Sequence, residues 1–142
     1  MKKIIFLLVG MASVSFANAQ KVSDKEVPSV VKSALHKKYP HAKELKWEKE
    51  KGNYEVGFEV EKNNYSVLID ASGDILETET GIGINELPVN VKAYVTRNYA
   101  GQKIKEVAKI TDNKGVITYE VAIKGKDLIF DNSGEFLKAV KD

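Results

Sequence analysis

The chain has 142 residues, 22 of them basic and 20 acidic, and no cysteine. Its opening, MKKIIFLLVGMASVSFANAQ, places Lys2 and Lys3 before an apolar run and ends in small residues around Asn18. That order is a secretory signal peptide, with cleavage expected between Ala19 and Gln20, and an apolar run too short to span a bilayer comfortably. The expected mature protein, residues 20–142, then carries 20 basic and 20 acidic side chains. A balance of zero argues against nucleic acid or an anionic membrane as partner. The missing cysteines exclude disulfide stapling and a lipid anchor on a leading Cys.

The mature chain reads as one domain of two repeats, 24–80 and 85–142, sharing one core, because about 60 residues alone are marginal. Val27-Pro-Ser-Val-Val-Lys32 aligns with Leu87-Pro-Val-Asn-Val-Lys92 at an offset of sixty, and Tyr39 meets Tyr99. Tyr54-Glu-Val56 likewise meets Tyr119-Glu-Val121, and Asp70-x-Ser-Gly73 meets Asp131-x-Ser-Gly134. Such self-similarity marks a duplicated supersecondary unit.

In chain order, Ser23-x-x-Glu26 scans as a capping box, but Pro28 belongs in the first turn of a helix. Because Pro88 repeats and the box does not, the proline is expected to set the start. Val27, Val30, Val31, Ala34, Leu35 and Tyr39 then follow helical spacing, and Pro40 ends it. Alternation takes over afterwards: Leu45 and Trp47, then Tyr54, Val56 and Phe58, then Tyr65, Val67 and Ile69, each opposite polar neighbours. A fourth strand runs from Ile75 to about Thr80. The second unit gives Lys103–Ile110, Val116–Lys124, Asp127–Asp131 and Phe136–Val140. Turns are expected at Lys51-Gly-Asn53, Lys62-Asn-Asn64, Asp112–Gly115 and Lys124-Gly-Lys126, with Gly81–Asn85 linking the halves. Gly73 and Gly134 should take φ > 0.

The fold class is therefore α+β: a tandem repeat of helix plus four antiparallel strands, joined into one sheet with both helices on one face and the other open to water. Trp47 is expected in the core under the first helix; the matching Val107-Ala-Lys109 carries no aromatic.

Catalytic constellations are absent. Ser29-x-x-Lys32 matches a nucleophile motif, but on a proline-started helix and without its partner motifs. His36 and His41 flank Tyr39-Pro40, so they do not share a helix face, and no cysteine or clustered carboxylate completes a metal site. Asp70-x-Ser-Gly-Asp74 resembles the start of a calcium loop but lacks the closing ligands; a hairpin with an Asp-capped turn explains it. Gly81-x-Gly83 lacks a dinucleotide-loop context, and Asn64-Tyr-Ser66 is a glycosylation sequon only in hosts that use it. No enzyme, metal or cofactor is expected.

The polar sheet face is the better candidate. Lys46, Glu48, Glu55, Gly57 and Glu59 of the first unit and Glu120 and Ala122 of the second form the expected partner-binding face, with Thr118 and Lys124 beside them. Gly57 and Ala122 match in the alignment and leave room for a partner's side chains.

The helix, Tyr39-Pro40, Trp47, Tyr54-Glu-Val56 and Asp70-x-x-Gly73 together resemble the PepSY-like, β-lactamase-inhibitor-like repeat of small exported proteins of Bacteroides-type bacteria. The resemblance covers the mature chain in two copies, the second departing with Ala100 for the proline and no tryptophan. It implies a curved sheet of BLIP-like form that can cover a target enzyme, and no catalytic residues. The function expected is an exported non-enzymatic binding module, periplasmic or secreted, of hydrolase-inhibitor-like kind with a protein partner. The alternative is a small-ligand or divalent-ion sensor held at the Asp70 and Asp131 turns.

Overall fold

The computed structural model describes residues 19–141; the expected signal peptide lies outside the described residues apart from Ala19. Nine strands form one antiparallel sheet in simple chain order. They are β1 (Gln20–Val22), β2 (Lys43–Glu50), β3 (Asn53–Val60), β4 (Asn63–Ile69), β5 (Ile75–Gly81), β6 (Glu106–Asp112), β7 (Ile117–Ile123), β8 (Lys126–Asp131) and β9 (Phe136–Lys141). Helices α1 (Ser29–Lys38) and α2 (Val89–Asn98) open the two units. The four strands expected per repeat are all present. β1 is an addition: three residues, Gln20, Lys21 and Val22, pair with Lys49, Glu48 and Trp47 along the edge of β2.

The capping box and the proline turn out not to compete. Ser23–Glu26 closes a short 3-10 turn, with the Glu26 carboxylate accepting from the Ser23 N–H at 2.7 Å and from its hydroxyl at 2.8 Å. Pro28 then caps α1 in extended conformation, and its carbonyl accepts from the Val31 and Lys32 N–H groups, each at 3.1 Å. The second unit repeats the box after all, because the Gly83 backbone N–H donates to Glu86 at 2.6 Å without needing a serine. The backbone half of the motif survives where the side-chain half is lost.

Both helices lie on one face, as the strand register establishes. Directly paired antiparallel residues share a face, so Val56, Val67, Thr78, Thr111 and, two residues back along β6, Lys109 and Val107 can be followed across β3–β6. From there Val121 and Leu128 continue into β7 and β8. α1 covers the first end of this face, packing Val31 and Leu35 on Trp47, Val56, Phe58 and Val67. α2 covers the other, packing Val91 and Val95 on Val107, Val121, Leu128 and Phe130. Each fully buried aliphatic side chain stabilises by about 1.5–3 kcal/mol relative to exposure.

The single shared core is corrected by this arrangement: the described residues form two hydrophobic clusters, one under each helix. Between them the helix face carries Thr78, Thr80, Lys109 and Thr111, none of them fully buried, and the C-terminal end of α1 reaches the seam at Thr78, through a Lys38 hydrogen bond at 3.4 Å and the Tyr39 hydroxyl. Five β5–β6 residue pairs carry the sheet across the junction. Val30, expected on the apolar helix face, is instead 47% exposed and packs against the Gly73 turn.

The turns follow local chemistry with one shift. Lys51 and Gly52 have φ +50° and +82°, the double positive φ of a type I′ hairpin. The next hairpin turns one residue earlier than expected, at Glu61 and Lys62 with φ +50° and +69°, so Asn63 and Asn64 belong to β4. Two long side chains hold the left-handed region that glycine takes more cheaply.

Candidate functional site

The expected binding residues do share the face away from the helices, but in two groups. Lys46, Gly57, Ser66, Glu79, Ile110 and Thr118 stand side by side across β2 to β7. Glu48, Glu55, Leu68 and Glu77 form the neighbouring row. On the other side of Glu79 lie Gly81, Ala108, Glu120 and Ile129, and beyond them Glu106, Ala122 and Asp127. The first group (Lys46, Glu48, Glu55, Gly57, Glu59) is thus separated from Glu120 and Ala122 by β4, β5 and β6.

This face is not the open, watered surface that strict alternation predicts. Ser66, Leu68, Glu79, Ala108, Ile110, Glu120, Asp127 and Ile129 are all buried, with Glu79 and Glu120 each 7% exposed. Both helices lie on the opposite side, so burial here requires the sheet to curl and its own strands to wall the groups in. The surface is concave, and its deepest part falls at the junction of the repeats. Lys46 and Glu59 remain exposed toward the first edge, while Glu48, Glu55, Gly57 and Ala122 are half-buried.

A cavity of about 360 Å³ opens there. Glu79, Glu106, Glu120 and Asp127 line it, with Lys62 and Lys105 among its walls and Ala108 and Ala122 supplying apolar surface. Gly57 lies outside it, and a Cβ added at Gly57 would have nothing nearer than the Tyr65 carbonyl at 4.0 Å, so the first group does present free space on its own.

The carboxyl groups perturb one another strongly. Burial, followed by the charges of Glu120, Glu77, Glu55 and Asp127, pushes the Glu79 carboxyl up to about 10. Glu79 has no hydrogen bond and no ion pair among the described residues. Burial also raises Glu55, against the effect of the Ser66 hydroxyl that donates to it at 2.7 Å, and it raises Glu77, helped by Asp112. Removing like charges from water and crowding them favours the neutral acid.

Sequence reasoning missed Ser66, Glu77, Glu79, Glu106 and Asp127. A signal was present: Glu77-Thr-Glu79 continues the alternation of Glu55-Val-Gly57, and carrying face parity through β5 and β6 links the two expected groups.

The Asp70 and Asp131 turns are built differently. One Asp70 carboxylate oxygen accepts from the Ser72 N–H at 2.9 Å, the Ser72 hydroxyl at 2.8 Å and the Asp74 N–H at 2.9 Å. Asp131 does the same with Ser133 and Glu135. The serine hydroxyl in each turn, and then the backbone, holds both carboxyls below the usual range. Gly73 and Gly134 have φ +93° and +86°, as expected. Among the described residues no group of three or more His, Cys, Asp or Glu is arranged to hold a metal ion, and no helix is long and apolar enough to cross a membrane.

The fold and face define a class: a tandem α-β4 module with two small cores on one side of a single sheet and a carboxylate-lined concavity on the other. The chain belongs to the family described as "Putative beta-lactamase-inhibitor-like, PepSY-like", which matches twice, over residues 14–77 and 62–138. Among solved structures it is similar to a BLIP-like protein from Bacteroides fragilis, at 26% identity and TM-score 0.65, covering 80% of this chain and 85% of that one. A protein described as "putative periplasmic" from Bacteroides eggerthii superposes with TM-score 0.70 at 19% identity, over 81% and 88% of the two chains. A DUF2874 family protein from Bacteroides uniformis gives 0.68 at 22% identity, over 80% and 88%. No curated protein matches the chain.

Proposed function

We propose that the protein is an exported, non-enzymatic binding module of the bacterial cell envelope that engages a protein partner through the concave sheet face. The observation that carries this reading is the concavity itself. Burying several carboxyl groups beside one another, Glu79 foremost, costs free energy, whereas the helix face is already filled by two cores. The leader-like N-terminus and the periplasmic description of the B. eggerthii relative support placement in the periplasm. The family description supports a hydrolase-inhibitor-like role, in which the face would cover a target enzyme.

The test is a capture experiment with residues 20–142 immobilised against a periplasmic extract. A genuine partner is retained by the wild type and lost with Gly57→Arg or Ala122→Arg, which fill the face without touching either core. If nothing retained depends on those two positions, the reading falls. The inhibitor role is then checked by measuring whether the captured protein, if a hydrolase, loses activity in the presence of excess module.

A further inference from the structure

The cavity at the repeat junction identifies what its occupant must carry. Four acidic residues on four successive strands, Glu79 on β5, Glu106 on β6, Glu120 on β7 and Asp127 on β8, line one opening. Glu79 is the informative member: only 7% of its surface remains exposed, it lines the cavity, and it is without hydrogen bond or ion pair among the described residues. A buried carboxyl left in that state is the counterpart of a missing cation. The lack of any metal-site arrangement among the described residues turns the choice from a divalent ion to an organic cation, whose donors are spread over a larger group. Ala108 and Ala122 offer the apolar wall that the alkyl stem of such a group prefers. A volume of about 360 Å³ sits at the small end of ligand pockets, enough for one side chain.

We propose that the junction cavity receives a cationic side chain, the ammonium of a lysine or the guanidinium of an arginine, presented by the polypeptide that docks on the concave face. This rests on the reading of that face as a protein-binding surface and names the anchor it takes. Entry of the cation converts the Glu79 acid to a carboxylate paired with it, and the displaced proton passes to solvent. The groups that set this exchange are Glu77 on the same strand, Ser66 and Glu55 from β4 and β3, Glu120 and Asp127 from β7 and β8, and Glu106, Lys62 and Lys105 on the walls. Ile110 is the direct strand partner of Glu79 and supplies no charge.

The experiment titrates the mature protein with capped tripeptides, glycine-arginine-glycine and glycine-lysine-glycine, against the glutamine and glutamate analogues and against free cadaverine. Amide NMR locates binding, and calorimetry in buffers of different ionisation enthalpy counts protons. The expected result is binding of the two cationic peptides with a Kd on the order of 1 mM, shifts centred on Gly81, Ala108 and Ala122, and release of close to one proton. Affinity should then rise up to about tenfold per pH unit between roughly pH 6 and 9. Glu79→Gln should weaken binding by about tenfold or more and abolish the proton release; Glu106→Gln, at the cavity wall, should weaken it while preserving the release. Equal binding of the glutamine peptide, shifts elsewhere, or no binding on the order of 10 mM would overturn the proposal. So would Glu79→Gln with unchanged affinity and proton count in a protein that circular dichroism shows folded. Cadaverine binding without the peptides would assign the cavity to a free amine and overturn the partner side chain. Capture that Gly57→Arg abolishes and Glu79→Gln leaves intact would keep the docking face and discard this anchor.

Discussion

The two repeats keep the same backbone devices and fill them with different side chains. Proline caps each helix, a glycine at positive φ closes each third hairpin, and an aspartate ties each of those turns with three hydrogen bonds. The packing differs. Trp47 fills the first core where Val107 stands in the second. The aromatic cluster of the first unit is Tyr39, Phe58 and Tyr65, from a helix end and two strands; that of the second is Tyr94, Phe130 and Phe136. Lys32 pairs with Asp24 at 3.1 Å, whereas in the second repeat the position matching Asp24 is Ile84, which offers Lys92 no carboxylate. What is retained is therefore what only a few residue types can do to a backbone; volume can be redistributed as long as each cluster closes.

The strongest way to break this comparison is to empty the first core. Trp47→Ala should cost about 3–5 kcal/mol, since it deletes a 3% exposed indole whose neighbours are held by α1 and two strands. Val107→Ala at the matching position should cost only about 1–2 kcal/mol. Urea unfolding of both variants measures the difference. Equal losses would mean that the second cluster leans on Val107 as heavily as the first leans on its tryptophan.

A finer test uses the two turn glycines. At Gly73 a Cβ would come within 2.9 Å of Val30 Cγ2 and 3.1 Å of the Val30 carbonyl oxygen, and the latter is fixed in the first turn of α1. At Gly134 the obstacle is the Asn90 side-chain amide, which can rotate away by giving up its 2.8 Å bond to the Ser133 carbonyl. Gly73→Ala should therefore cost about 2–3 kcal/mol and Gly134→Ala about 1–2 kcal/mol, each including roughly 1 kcal/mol for the left-handed backbone. Asn90→Ala should recover part of the second loss and Val30→Ala less of the first. The reverse order of stabilities, read from denaturant midpoints, would show that the turns and not the contacts decide.

Much of this frame was legible in the sequence because it is local. Pro28, Gly73 and the alternation in Tyr54–Val60 act over a few residues, and they carry the helix starts, turns and strand faces. β1 was missed because three residues hold no period. The shared core was wrong because the seam of Thr78, Thr80, Lys109 and Thr111 only becomes a seam once β5 and β6 pair. The buried carboxylates were missed for a related reason: Glu77-Thr-Glu79 reads as a polar face, and only the curl of nine strands converts that face into an interior.

That curl predicts a pH dependence that separates the junction from both repeats. Glu79 binds its proton more tightly folded, at about 10, than an ordinary unfolded glutamate near 4.3. Its contribution to stability is then fully present below the unfolded value and is lost as pH rises toward the folded one. Glu79→Gln should leave stability at acidic pH nearly unchanged and flatten the alkaline decline, raising the melting temperature at about pH 9 by roughly 5 °C, on the order of 1 kcal/mol. Glu59→Gln, at an exposed site of the same face, should leave the profile in place. Parallel pH profiles for wild type and Glu79→Gln would mean that water reaches the concavity freely.

The smallest effect concerns the second hairpin of each unit. In the first it turns through Glu61 and Lys62, both at positive φ; in the second, Lys124 is followed by Gly125 at φ +72°. The energetic difference should reside in the glycine, since a lysine in the left-handed region costs about 1 kcal/mol that glycine avoids. Lys62→Gly should raise stability by about 0.5–1 kcal/mol, offset in part by the greater entropy of glycine in the unfolded chain, and Gly125→Lys should lower it by a similar amount. The exchange also bears on the cavity, because Lys62 is one of its walls. A lysine kept at a strained turn beside four carboxyl groups weakens the field they present to an incoming cation. If that is its role, Lys62→Gly should tighten binding of the arginine peptide while stabilising the fold, and a variant that stabilises without tightening would reduce Lys62 to a tolerated turn residue.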